Sequence, residues 1–213
     1  MGMLTYQQMK DRLEFNLGNQ AFDEDRLGLW IHDGYYDLAG AFDFAELNKT
    51  ATATIDGGND AIIVPADMQW PRALTNQTDD FTLIYEDQAN FLRRDLDTEG
   101  QPQYWTRLGD SFRVWPTAEV DTLLRVLYNK FPTPLADDLD VSALLPTYDK
   151  AILLFSESHA LYDTKENAMA TDVLARAMNY VRSRLLPEEF QEEGVSLGLT
   201  HASSLSDIGA ART

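Results

Sequence analysis

Residues 99–148 read EGQPQYWTRLGDSFRVWPTAEVDTLLRVLYNKFPTPLADDLDVSALLPTY. Glu99, Gly100 and Pro102 make a turn that feeds Tyr104 and Trp105, and Gly109-Asp110 make a second turn. Phe112, Val114 and Trp115 then read as a short strand. Pro116 ends it, because proline has no N–H to give to a ladder. From Val120 to Phe131 the pattern has period 2. Thr122, Leu124, Val126 and Tyr128 fall on one face, with Leu123, Arg125 and Leu127 on the other. Pro132 and Pro134 stop this strand, Asp137, Asp138 and Asp140 mark a solvated loop, and Pro146 stands where helices like to begin. A period-2 sheet therefore runs straight into helices, which makes this an α+β chain.

Upstream, Thr5 to Leu17 reads as a helix. Thr5 caps it and Gln8 completes a capping box. Tyr6, Met9, Leu13 and Leu17 share a face. Asp23 starts a second helix that runs to about Leu47, with Leu27, Trp30, Ile31, Leu38, Ala41, Phe42 and Ala45 as its apolar stripe. Gly34 and Gly40 weaken this helix by roughly 1 kcal/mol each relative to alanine, or let another backbone come close. Downstream, Tyr148 to Tyr162 is a helix with Ala151, Ile152 and Phe155 on one face. Thr164 caps a last helix, 165–186, whose apolar face is Met169, Val173, Ala177, Val181 and Leu185. Between the helix pairs, Thr50 to Ile55 and Ala61 to Val64 read as two strands of a hairpin through Asp56-Gly57-Gly58-Asn59-Asp60. Residues 67–77, with Met68, Trp70 and Leu74, read as a helical turn or packed loop. Phe81 to Glu86 reads as a strand, and Gln88 to Asp95 as one or two helical turns. The expected fold is a bundle of about four helices (4–17, 23–47, 148–162 and 165–186), a small antiparallel sheet inserted at 50–131, and an extended C-terminal tail. In domain terms this is a single unit over 1–193 followed by a tail, 194–213.

The chain has 213 residues, no cysteine, and 35 acids against 17 Lys and Arg, for a net charge of −18. Without cysteine there is no disulfide and no thiolate chemistry, which suits a reducing cytoplasm. The N-terminus lacks an apolar leader, and no run approaches the length of a membrane helix. The charge disfavours general binding to nucleic acid, which needs phosphate neutralisation. The aromatics Trp70, Tyr104, Trp105, Phe112 and Trp115 could stack bases. The basic residues that should accompany them are absent, so core or subunit packing is their expected use.

No phosphate-binding loop, dinucleotide fingerprint or nucleophile elbow occurs. His32, His159 and His201 lie on separate segments without zinc spacing. Ser156 and Ser158 share a helix with His159, where a triad does not close by spacing alone. Asp137, Asp138 and Asp140 lack the pattern of a calcium loop. Asp79-Asp80, Asp95, Asp97 and Asp137-Asp138 leave open a carboxylate-dependent hydrolase, for instance one acting on cell-wall glycan. A generic acidic binding module is a further alternative.

The turn at Gly100-Pro102 before Tyr104, the strand closing on Trp115-Pro116, the strand ending near Tyr128, the acidic and leucine-bearing loop, and Leu145-Pro146-Thr147-Tyr148 opening a helix come in a particular order. That order resembles the phage head-to-tail adaptor (connector) proteins, and with the flanking helix pairs the resemblance covers most of residues 4–186. It implies a structural virion protein of the neck, assembled in the host cytoplasm, with no enzymatic activity and no cofactor. It also implies a homo-oligomeric ring of twelve subunits. The ring binds the portal protein, extends the channel through which genomic DNA passes without specific binding, and docks a tail or stopper (nozzle) protein.

Two sets of residues are candidates for contacts between chains. Arg93, Arg94, Arg182 and Arg184 could pair with acids of a neighbouring subunit. Residues 194–213 have a tail's composition, in which Val195, Leu197 and Leu199 alternate and Leu205 and Ile208 are spaced i, i+3. These five apolar residues are the candidates for docking on the portal, as adaptor C-termini do in that family.

Overall fold

The computed structural model describes residues 3–18 and 21–185. The chain divides into two compact units. One comprises the residues up to Glu46 together with those from Pro132 onward, and the other runs from Leu47 to Phe131.

The first unit holds four long helices: α1 (Tyr6–Asn16), α2 (Glu24–Ala41), α4 (Asp149–Asp163) and α5 (Asn167–Leu185). The expected capping box starts α1: the Thr5 hydroxyl accepts the Gln8 N–H at 3.3 Å and the Gln8 side chain accepts the Thr5 N–H at 3.1 Å. Asp23 caps α2 by accepting the Asp25 N–H. Helix α4 is the common partner of the unit, packing on α1, α2 and α5. Met9, Leu13, Leu27, Ile31, Leu38, Ile152 and Phe155 are all buried there.

Gly34 explains how closely α2 and α4 approach. A Cβ at this position would lie 2.5 Å from the Ser156 nitrogen and 2.9 Å from its Cα. The glycine's cost in helix propensity is thus exchanged for contact between backbones. Tyr35, fully buried, accepts the Ala143 N–H at 2.7 Å and ties the loop before α4 to α2. Burial pushes its phenol up to about 12.

The helices differ from the sequence reading at two boundaries and on one face. Helix α2 stops at Ala41, and Ala45–Leu47 is a separate 3-10 turn. Thr164 closes α4 instead of opening α5, with Lys165 in the left-handed region at φ 67° before α5 begins. Ala170, Val173, Ala177 and Val181 form the buried stripe of α5, so Met169 lies on its exposed side.

The second unit contains ten strands among its described residues, more than the five or six the sequence suggested, and they form two four-stranded sheets and a short pair. The first sheet has the order β1 (Asn48–Ile55), β10 (Thr122–Lys130), β3 (Met68–Asn76), β4 (Phe81–Thr82). The second has the order β2 (Ala61–Ile63), β8 (Ser111–Trp115), β7 (Tyr104–Leu108), β5 (Ile84–Tyr85). β6 (Glu99–Gly100) pairs with β9 (Thr117–Ala118). Pairing is antiparallel except for β5–β7 and β6–β9. Helix α3 (Gln88–Phe91) is a single turn capped by Asp87.

The alternation read in residues 122–128 holds, with Thr122, Leu124, Val126 and Tyr128 buried. The β7–β8 hairpin turns at Gly109, at φ 59°. Two other readings are corrected. Residues 50–64 are not a hairpin: β1 joins β10 and β2 joins β8, so the turn passes from one sheet to the other. Gly57 N–H donates to the Asp121 carboxylate at 3.0 Å and Gly58 N–H to the Ala118 carbonyl at 2.7 Å, which holds that crossing. Residues 67–77 are neither helical turn nor loop but the long strand β3. Its Pro71 is tolerated because it sits beside a register shift against β10, in the half of the strand that β4 does not reach. The two sheets share one core containing Ile55, Leu74, Trp105, Phe112, Val114, Leu124 and Tyr128.

Candidate assembly surface

Arg94 follows α3 and uses its fork within its own unit. Its Nε and Nη2 donate to the two Glu86 oxygens at 2.6 and 3.0 Å. The guanidinium lies 4.0 Å from the Tyr104 ring centre and 4.2 Å from that of Trp115. This combination of bidentate pairing and cation–π stacking suits arginine and not lysine. Arg93 beside it is exposed. Arg182 and Arg184 are exposed in the last turn of α5, where the helix dipole favours cations, and Arg184 also lies 5.5 Å from the Tyr180 ring. Other cations are paired inside their units: Lys10 with Asp138, Arg26 with Asp163, Lys49 with Asp67, and Arg113 with Asp60.

Acids exceed bases by about two to one in the sequence, so internal pairing leaves most carboxylates facing water. Large apolar side chains are also exposed. In the helical unit they include Phe15 (69% exposed) and Leu139 (83%); in the sheet unit, Ile63 (83%), with Ile84 and Tyr85 on the outer strand β5. Of the aromatics singled out in the sequence, Trp105 and Phe112 are buried in the core that the two sheets share, whereas Trp70, Tyr104 and Trp115 are half-buried. Trp105 meets Phe112 edge-on at 5.3 Å, and Tyr104 meets Trp115 at 5.8 Å.

Several groups that could do chemistry have partners of their own. The Ser156 hydroxyl donates to the Ile152 carbonyl, and that of Ser158 to the Ala170 carbonyl. His159 bonds Asp37 at 2.8 Å. These three residues do not form a nucleophilic array. The Asp140 carboxylate accepts the Ala136 and Asp137 N–H groups, which hold its pKa below the usual range. Burial raises the pKa of Asp149, whose carboxylate accepts the Leu4 N–H at 2.8 Å, and of Glu157. A polar cleft of about 360 Å³ lies beside Lys10 and His32. Its two basic groups are already bound, Lys10 to Asp138 and His32 by donating to the Leu135 carbonyl at 2.6 Å. Among the described residues, no group of three or more His, Asp or Glu side chains is placed to hold a metal ion, and no helix is long and apolar enough to cross a membrane.

A family model described as SU10 adaptor protein matches residues 4–192, a range that takes in both compact units. The chain belongs to the SU10 adaptor protein family. This is a family of phage head-to-tail adaptors, structural proteins of the virion that interact with other virion proteins. No curated relative matches the chain. Val195, Leu197, Leu199, Leu205 and Ile208 lie beyond the matched range and outside the described residues.

Some of this surface could not be read from the sequence. The doublet Arg93-Arg94 was visible as a cationic spot, but nothing in its spacing pointed to Glu86. Lys10 was hidden as well, since it falls among the buried positions of α1 while its partner Asp138 is distant in sequence.

Proposed function

We propose that this chain is the ring-forming member of the phage neck. Twelve copies sit on the portal, extend the DNA channel, and present a docking surface to the tail or stopper protein. The observation that carries this reading is the family match over residues 4–192, a range that takes in both compact units. In this reading the four long helices act as one bundle whose flank meets the next subunit, and the sheets project toward the tail. The ring is heterologous, each subunit using two different patches.

The large excess of acids supports an acidic lumen that repels DNA phosphates, so that the genome slides without adhering. Arg93, Arg182 and Arg184, all exposed, are among the cations that bridge subunits, while Arg94 is held within its own unit by Glu86. The C-terminal segment holds the ring to the portal. Negative-stain imaging of portal mixed with this protein tests the reading. A twelve-fold collar on one face of the portal is expected, and portal particles unchanged by a saturating excess would refute it.

A further inference from the structure

Among the described residues, β1 has a property that no other strand shares. It is an eight-residue edge, hydrogen-bonded only to β10, whereas the other outer strands, β2, β4 and β5, have two or three residues. In an antiparallel ladder, alternate residues turn their N–H and C=O away from the partner. Among the described residues no other backbone bonds those outward groups of β1. Proteins normally blunt such an edge with proline, a bulge, charge or shortness. β1 reads NKTATATI, pairs with β10 without a register shift, and carries one charge, Lys49, which is bound to Asp67 at 2.7 Å.

We propose that β1 is a strand acceptor, and that it takes residues 194–200 of a second copy of this chain as an added strand. Three observations select this occupant. The first is the side-chain pattern. On β1 the exposed Thr50, Thr52 and Thr54 alternate with half-buried Ala51 and Ala53, which pack on the sheet core. Residues 194–200 read GVSLGLT. With Val195, Leu197 and Leu199 on the alanine side, larger side chains extend the apolar face where the alanines stop short. Ser196, Gly198 and Thr200 then meet the threonines.

The second observation is charge. In a chain with 35 acids, residues 50–55 carry no charged side chain, and residues 194–206 carry no Asp, Glu, Lys or Arg. These are two segments that copies of so acidic a protein can bring together without repulsion. The third is chain length. Residues 186–213 follow α5, and at ~3.3 Å per extended residue a segment of that length is long enough to span to a neighbouring copy. The inference rests on the ring reading: each copy offers one edge and one strand, the heterologous pair a closed ring requires. The distal part of the segment, with Leu205 and Ile208, is left for the portal.

The test uses the full chain, which contains no native cysteine. Thr52→Cys is combined with Ser196→Cys, Gly198→Cys or Thr200→Cys to cover the registers two residues apart. Facing residues of paired strands lie within the Cα separation that a disulfide spans, ~4.4–6.8 Å. Reduced variants are assembled on portal, checked by mass to form the wild-type ring, then oxidised and run without reductant. At least one pair should give a covalent ladder extending past the dimer, because every subunit then links to two neighbours, whereas each single-cysteine control stops at the dimer.

A fast-migrating internally bridged monomer would overturn the proposal in favour of the chain's own segment. Efficient dimers from Thr52→Cys alone would overturn it in favour of edge-to-edge pairing. A wild-type-like ring with no ladder from any pair would overturn it while leaving the ring intact, whereas absence of any ring or portal complex would refute the functional reading itself. Should the variants not assemble, hydrogen exchange on the unmodified protein decides. The outward amides of β1 become protected on ring assembly if the proposal is right and exchange unchanged if it is wrong.

Discussion

Replacing Gly34 by alanine sets two effects of opposite sign against each other. In an isolated helix the change stabilises by about 1 kcal/mol, because glycine loses more backbone entropy on folding. In this protein the new methyl would lie 2.5 Å from the Ser156 nitrogen, 2.6 Å from its hydroxyl oxygen and 2.9 Å from its Cα, whereas ordinary contact begins at 3.4 Å. Two of those three atoms belong to the backbone of α4 and cannot rotate away. Helices α2 and α4 must therefore separate by about 1 Å, which loosens Ile31, Leu38, Ile152 and Phe155 together and places the cost toward the upper end of the ~1–3 kcal/mol typical of overpacking. The net expectation is a loss of about 1–2 kcal/mol, or roughly 2–8 °C in Tm for a chain of this size. Thermal unfolding followed by circular dichroism reads it. Adding Ser156→Ala should recover only part of the loss, because the backbone atoms remain. A Tm that rises for Gly34→Ala would refute the close approach of α2 and α4.

Other substitutions test other parts of the structure. Burial alone would lower the pKa of His159, but the bond to Asp37 and the nearby Asp33 outweigh it and raise the folded value above the ordinary one. Its contribution to stability is therefore full below the unfolded pKa, about 6.5, and is lost as pH rises through the folded value. His159→Gln should flatten that part of the stability–pH curve, and an unchanged slope in denaturant titrations would count against the pair. Asp149 has the opposite balance: burial raises its pKa, so the folded state loses stability as pH rises from the ordinary carboxylate value through the raised one. Asp149→Asn should remove that loss. Asp149→Ala leaves the buried Leu4 N–H without an acceptor and should cost about 1–3 kcal/mol; equal stability of the two variants would be the wrong result. Arg94→Lys keeps the charge but loses the fork to Glu86 and the stacking on Tyr104 and Trp115, and should destabilise the sheet unit by about 1 kcal/mol. Chemical denaturation would detect this, and a neutral outcome would contradict the arrangement.

The sequence was most informative where periodicity and caps agree. Thr5 with Gln8 announced α1, and the period-2 run from Thr122 to Tyr128 announced β10, because each signal is local and depends on no distant partner. Residues 67–77 misled because Pro71 and the spacing of Met68, Trp70 and Leu74 imitate a packed loop. Only the bulge against β10 makes room for that proline, and a bulge is a property of two strands. The turn at 56–60 is a turn in fact as well as in pattern. What it joins was decided by Asp121 and Ala118, more than 55 residues downstream. Strand pairing and ion pairs such as Glu86–Arg94 are likewise matters of three-dimensional contact. The resemblance to the family was legible because the order of turns, period-2 runs and prolines along residues 99–148 is a property of the sequence itself.

The mass of the 24.1 kDa chain in solution, alone and mixed with portal, bears most directly on the adaptor reading. Light scattering on a sizing column should show the protein leaving its own position and eluting with portal at twelve copies per portal ring. Elution of both proteins at their separate masses, across moderate salt and excess of either partner, would contradict it.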